Sequence, residues 1–100
     1  MEAIFVKDAE GKIVELTVGG KTIKVGDRVR PGPDWKWCNQ NGGGEGVVTA
    51  IDDDQENPLW AEVEWDKGKI DDYRWGEKGK FDLEVIPADG KHKNPDSIKG

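Results

Sequence analysis

The sequence predicts a small all-β fold, a barrel of short strands with an N-terminal β-hairpin extension. Three features carry that expectation. Short runs rich in β-branched and aromatic residues alternate apolar with polar, clusters of Gly, Asp and Pro separate the runs, and no stretch repeats apolar residues at amphipathic-helix spacing. With 100 residues and 34% apolar content, the chain can bury one compact core and not two.

The elements follow in order. Residues 3–25 alternate with period two: Val14, Leu16 and Val18 are expected on one side, and Ile13, Glu15 and Thr17 on the other. Ile23 and Val25 resume the pattern after Gly19-Gly20, a pair that reaches positive φ freely, as a two-residue hairpin turn requires. A strand at Ile4 to Lys7 precedes them, with a turn at Asp8-Ala9-Glu10-Gly11. Residues 1–25 are thus assigned to the extension and residues 26–86 to the barrel.

From Pro31 to Gly46 there are too many breakers for a helix or a paired strand. Trp35 and Trp37 within this stretch argue for an ordered loop, because each carries apolar area that is costly to leave in water. Strands are then expected at Gly46 to Ile51, Trp60 to Trp65 and Lys69 to Arg74, separated by turns from Asp52-Asp53-Asp54 to Pro58 and at Asp66-Lys67-Gly68. In the second of these, Ala61, Val63 and Trp65 face inward and Trp60, Glu62 and Glu64 outward. Phe81, Leu83, Val85 and Ile86 close the barrel, and residues 87–100 read as a mobile tail with little to bury.

Charge and composition narrow the function classes. The formal charge of −6 is concentrated in residues 26–86, where fifteen acids face eight Lys or Arg. Such a surface repels phosphate backbones and attracts a basic or apolar peptide, so no nucleic-acid partner is expected. No run approaches the length of a membrane helix, and no signal-peptide pattern opens the chain, so an intracellular, cytoplasmic, monomeric protein is expected. Cys38 alone makes no internal disulfide.

Catalytic and metal chemistry find no set of residues. One Cys and one His, His92 in the expected tail, do not make a zinc site. The same single imidazole leaves a Ser-His-Asp or Cys-His mechanism without an anchored base. Asp52-Asp53-Asp54-Gln55-Glu56 lacks the glycine and the distal acid of an EF-hand loop. The glycines at 32, 42, 43, 44 and 46 precede no Gly-Lys-Ser/Thr and suit turns better than a phosphate cradle. Asp71 and Asp72, adjacent in a strand, point to opposite faces. No cofactor, metal or enzymatic activity is expected.

The string Gly26-Asp27-Arg28-Val29-Arg30-Pro31-Gly32-Pro33-Asp34-Trp35-Lys36-Trp37, with Gln40-Asn41-Gly42-Gly43 and Gly46 after it, resembles the opening signature of MIB/HERC2 domains. Trp65-Asp66-Lys67-Gly68, Tyr73-Arg74, Gly76, Gly79 and Asp82-Leu83 continue the resemblance in order. Arg30-Pro31 and Asn41 depart from the family's usual Val-Arg and Asp. The resemblance implies an SH3-like β-barrel that serves substrate recognition in ubiquitin ligases, with no ligase machinery of its own.

A binding role would fall to Trp35, Trp37, Tyr73 and Trp75 as an aromatic surface, with Arg28 and Arg74 as candidate contacts to a peptide bearing a basic flank. The alternative for Trp35 and Trp37 is that they pin the long loop to the barrel. Asp34, Gly32, Gly42, Gly43, Trp65, Asp66 and Asp82 are read as structural, the acids fixing arginines in planar ion pairs. Two other functions compete: a scaffold without a ligand, and a methyl-lysine reader built on an aromatic cage.

Overall fold

A computed structural model describes residues 2–52 and 58–87. The middle of the expected acidic turn and the expected tail after Pro87, including His92, lie outside the described residues. Among the described residues there are eight strands, β1 (Ala3–Lys7), β2 (Ile13–Val18), β3 (Lys21–Lys24), β4 (Arg28–Pro31), β5 (Gly46–Ile51), β6 (Trp60–Trp65), β7 (Ile70–Arg74) and β8 (Leu83–Ile86), with one 3₁₀ turn at Glu77–Gly79. They form two antiparallel sheets, β1-β2-β3 and β7-β6-β5-β4-β8.

The first sheet is the expected hairpin region with a third strand. Gly19 (φ 58°) and Gly20 (φ 84°) make the tight turn that pairs Val18 with Lys21. In the earlier turn the Asp8 Oδ1 accepts the Glu10 and Lys12 N–H groups at 2.9 and 3.0 Å, and Gly11 takes φ 84°. The simple alternation expected for β2 fails at one point. Register slips between Val6 and Lys7, so Val14 becomes an unpaired bulge residue and Ile13 is carried to the core side with Leu16 and Val18.

In the second sheet β6 follows the expected alternation: Ala61, Val63 and Trp65 are buried while Trp60, Glu62 and Glu64 face out. The closed barrel does not form. After β7, Gly76 adopts a left-handed conformation (φ 105°) and the chain reverses through the 3₁₀ turn, so the edge strands meet at a single bridge, Trp75 to Phe81. The outer edge of β7 is closed off by side chains before a ladder can grow: Asp82 takes the Arg74 N–H.

One core spans both sheets. Ile13, Leu16, Val18 and Ile23 from the first sheet join Val29, Val48, Ile51, Ala61, Val63, Trp65, Tyr73, Trp75, Phe81 and Leu83 from the second. Each fully buried aliphatic side chain among them contributes roughly 1.5–3 kcal/mol relative to exposure. The sheets touch where β2 lies against β5 and where Gly76 passes so near Val18 that a Cβ there would stand 2.6 Å from a valine methyl. Four side chains of β2 and β3, Ile13, Leu16, Val18 and Ile23, thus belong to the same core as the second sheet.

Candidate functional site

Residues 32–45 leave β4 and fold back over the second sheet, and the DWxW segment holds them there. Asp34 Oδ2 accepts the Phe81 N–H at 2.7 Å, and the Asp34 N–H bonds the Phe81 carbonyl at 3.0 Å. The Trp35 ring stacks on Tyr73 (centroids 5.2 Å, interplanar angle 24°) and meets Trp65 edge-on at 5.5 Å. Its Nε1 donates to the Cys38 carbonyl at 3.0 Å, in a turn where Cys38 itself has φ 54°. Gly32 and Gly42 permit the approach: a Cβ at 32 would sit 2.4 Å from the Leu83 oxygen, and one at 42 would sit 2.7 Å from the Lys67 oxygen.

Asp82 is the polar centre of this arrangement. Its carboxylate is fully buried and receives Arg74 Nη2 at 2.7 Å, Arg74 Nε at 3.0 and 3.1 Å, the Arg74 backbone N–H at 2.9 Å and Trp37 Nε1 at 2.9 Å. Arg74 Nη2 also donates to the Asp34 carbonyl at 3.2 Å. One carboxylate thus secures β7, the start of β8 and the loop tryptophan, through charge-assisted bonds in a dry setting. The bond to Asp82 raises the Arg74 pKa, so the guanidinium keeps its charge.

A second network lies in the core. Trp65 Nε1 donates to the Tyr73 hydroxyl at 3.0 Å, and that hydroxyl donates to Gln40 Oε1 at 2.8 Å, so the loop also satisfies the only polar atom of a buried ring. Burial raises the Tyr73 pKa. At the surface, Arg28 spans Asp66 (3.0 and 2.5 Å) and Glu45 (3.2 Å), joining β4 to the β6–β7 turn and to the end of the loop. The hydrogen bond from Arg28 holds the Asp66 carboxyl below its usual pKa.

The expected four-ring surface is not present. Tyr73 has no exposed area and Trp75 only 4%, because both alternate inward with the core face of the β7 end; Trp35 and Trp37 are half-buried and packed on that core. Trp35, Trp37 and Tyr73 do come together, but ring against ring, leaving no gap between them for a methylammonium. Arg28 and Arg74 are both engaged in ion pairs. Trp65, Asp34, Asp66 and Asp82 occupy structural positions, and Gly43, at φ 80°, has open space around it.

Sequence reading missed a groove. About 680 Å³ in volume, it runs along the seam where β3 and β8 face each other, lined by Lys21, Thr22, Pro31, Gly32, Pro33, Trp75, Leu83, Glu84 and Val85. Trp75 alone of the expected binding residues lines it, held by its Nε1 bond to the Lys21 carbonyl at 3.1 Å and by an edge-on contact with Phe81 at 5.1 Å. The groove joins residues some sixty positions apart, so no local pattern in the sequence marks it. Among the described residues no cluster of His, Cys, Asp or Glu could hold a metal, and no helix is long and apolar enough to cross a membrane.

The MIB_HERC2 family model (Mib_herc2) matches residues 26–87, the loop, the Asp82 centre and the five-stranded sheet together. The chain belongs to the MIB/HERC2 domain family. This MIB/HERC2 domain is 38% identical over 90 residues to the E3 ubiquitin-protein ligase HERC2 of Homo sapiens, covering 84% of the chain and 2% of that protein. It is 36% identical over 88 residues to the E3 ubiquitin-protein ligase Ufd4 of Drosophila melanogaster, covering 84% and 3%. With the E3 ubiquitin-protein ligase MIB2 of Gallus gallus it shares 40% identity over 70 residues, covering 65% and 7%. The chain thus spans only a few per cent of the length of the curated relatives it matches. MIB/HERC2 signature residues Asp34, Trp35, Trp37, Tyr73, Arg74 and Asp82 are the ones that fasten the loop to the sheet.

Proposed function

We propose that this domain is a non-catalytic peptide-recognition module that works inside the cell as part of ubiquitin-ligase substrate selection. The five strands β4–β8 are read as an SH3-like barrel left open between β7 and β8. The groove along the β3–β8 seam carries the reading: it is apolar along Pro31, Pro33, Trp75 and Val85 and polar at Lys21 and Glu84. The named activity of the relatives supports the ligase setting. The chain's net charge of −6 favours a peptide with a basic flank, which makes binding weaken as salt rises.

Thr22→Arg provides the test, because Thr22 is exposed and lines the groove, with its hydroxyl 2.7 Å from that of Thr17 on the same surface, whereas Trp37→Ala would unfasten the loop as well. Peptides selected by display against the wild-type domain are titrated by fluorescence polarisation. Thr22→Arg is expected to weaken them at least about tenfold, a loss of ~1.4 kcal/mol. Lys36→Glu, beside the Trp37 ring, is expected to leave them unchanged. Equal affinity for wild type and Thr22→Arg would remove the groove from the proposal, and loss only in Lys36→Glu would return the site to the loop tryptophans.

A further inference from the structure

Every residue of β1 is exposed, and its centre is apolar on both faces: Ile4 is 51%, Phe5 41% and Val6 43% accessible. Such an edge strand is a template for pairing with another chain unless something blunts it. Two other edges, β7 and β3, are blunted in part. On β7, Asp71 Oδ1 caps the Asp72 N–H at 2.8 Å, and Asp82 occupies both the N–H and the carbonyl of Arg74. On β3, Asp27 Oδ2 caps the Lys24 N–H at 2.8 Å, and the Asp27 N–H bonds the Lys24 carbonyl at 3.0 Å. Among the described residues β1 has no such guard.

The phase of the ladder fixes which groups β1 offers. The Gly19 N–H bonds the Glu2 carbonyl at 3.2 Å, and Ala3 stands opposite Val18, so Ile4, opposite Thr17, exchanges its bonds with β2. Ala3 and Phe5 therefore direct N–H and C=O outward. An antiparallel pair related by a two-fold axis must place outward-facing residues opposite each other, and the register that overlaps β1 fully with its own copy centres on Phe5. In that register Ile4 meets Val6 of the copy and Val6 meets Ile4, so β-branched residues lie opposite one another on one face. Phe5 meets Phe5 of the copy on the other, the face that already carries Leu16. Ile4-Phe5-Val6 is palindromic in chemistry about its central ring, so the two-fold register sets apolar against apolar there, with Ala3 opposite Lys7 of the copy at the ends.

We propose that β1 pairs with β1 of a second copy, joining two three-stranded sheets into one of six strands across a two-fold axis at Phe5. The inference is independent of peptide recognition in the groove and replaces the expectation of a monomer. Both copies carry −6, so the dimer tightens as salt is raised, the reverse of the trend expected for a basic peptide.

Sedimentation equilibrium of the full chain from ~10 μM to ~1 mM covers the range expected for one strand pair, well below the area of a standard interface. The runs are made at roughly 50 and 500 mM salt. A concentration-dependent shift from monomer to dimer is expected, stronger at high salt, with amide exchange at Ala3 and Phe5 slowing as dimer accumulates. Phe5→Lys sets like charges at the axis and is expected to weaken association at least about tenfold. Ala3→Pro, which deletes an outward N–H and no bond to β2, is expected to do the same with far-UV circular dichroism unchanged. A wild-type chain that stays monomeric throughout overturns the proposal, as does a dimer that persists in both folded variants.

Discussion

Replacing Asp82 by alanine removes the acceptor on which four donor groups converge. Arg74, whose side chain is only 14% accessible, keeps its charge and loses its partner, while the Trp37 indole and the Arg74 backbone N–H lose their acceptor in the same region. Hydrogen bonds to a charged group are worth ~1.5–3 kcal/mol each, but summing four would overcount, because they share one carboxylate. The better guide is the cost of breaking a buried ion pair by deleting one member, ~3–5 kcal/mol. For a domain of this size that removes a large part of a total stability of ~5–15 kcal/mol and lowers Tm by ~12 °C or more. Urea and thermal unfolding read by tryptophan fluorescence measure it, with Asp82→Asn as a milder variant that keeps an acceptor oxygen and loses the charge. Arg74→Met completes a cycle: the double variant should recover at least ~1 kcal/mol over the sum of the singles, since the orphaned charge is gone. A loss below ~1 kcal/mol in Asp82→Ala, or strict additivity in the cycle, would refute Asp82 as the joint between loop and sheet.

Two further outcomes follow from the strands and glycines. Asp72 stands directly opposite Glu62, and its pKa is raised by burial, then by Glu62 and Asp71. Its ionisation therefore costs the folded state stability that is intact at acid pH and lost as pH rises through the folded pKa. Asp72→Asn should stabilise the domain by ~0.2–1 kcal/mol at neutral pH, the gain fading below about pH 4 in a pH series of urea melts. Gly32→Ala should cost ~1–3 kcal/mol by driving a methyl into the Leu83 carbonyl. Gly44→Ala, in open space and without a positive φ, should be neutral or stabilising by up to ~1 kcal/mol; equal costs at both positions would contradict the close approach.

The strand content was legible because local rules determine it. The alternation of Ala61, Val63 and Trp65 and the Gly19-Gly20 turn depend only on neighbours in the chain. Ile13 was misplaced because a bulge is a property of two strands in register, and one strand read alone does not display it. The aromatic surface was overestimated for a similar reason. Trp35 and Trp37, two residues apart, suggested a shared exposed face, yet one stacks on Tyr73 and the other bonds an acid forty-five positions away. The open seam between β7 and β8 and the groove between β3 and β8 are set by where Gly76 turns the chain and by how the first sheet docks. Neither leaves a periodic trace.

The contact of Gly76 with Val18 bears on what counts as the smallest autonomous piece of this protein. The family outline begins at residue 26, yet Ile13, Leu16, Val18 and Ile23 belong to the same buried cluster as Trp75 and Val48. A fragment cut to that outline would carry an oily scar where the meander had been. The buried cluster extends upstream of residue 26, and so do the matches to HERC2 and Ufd4, each of which covers 84% of the chain.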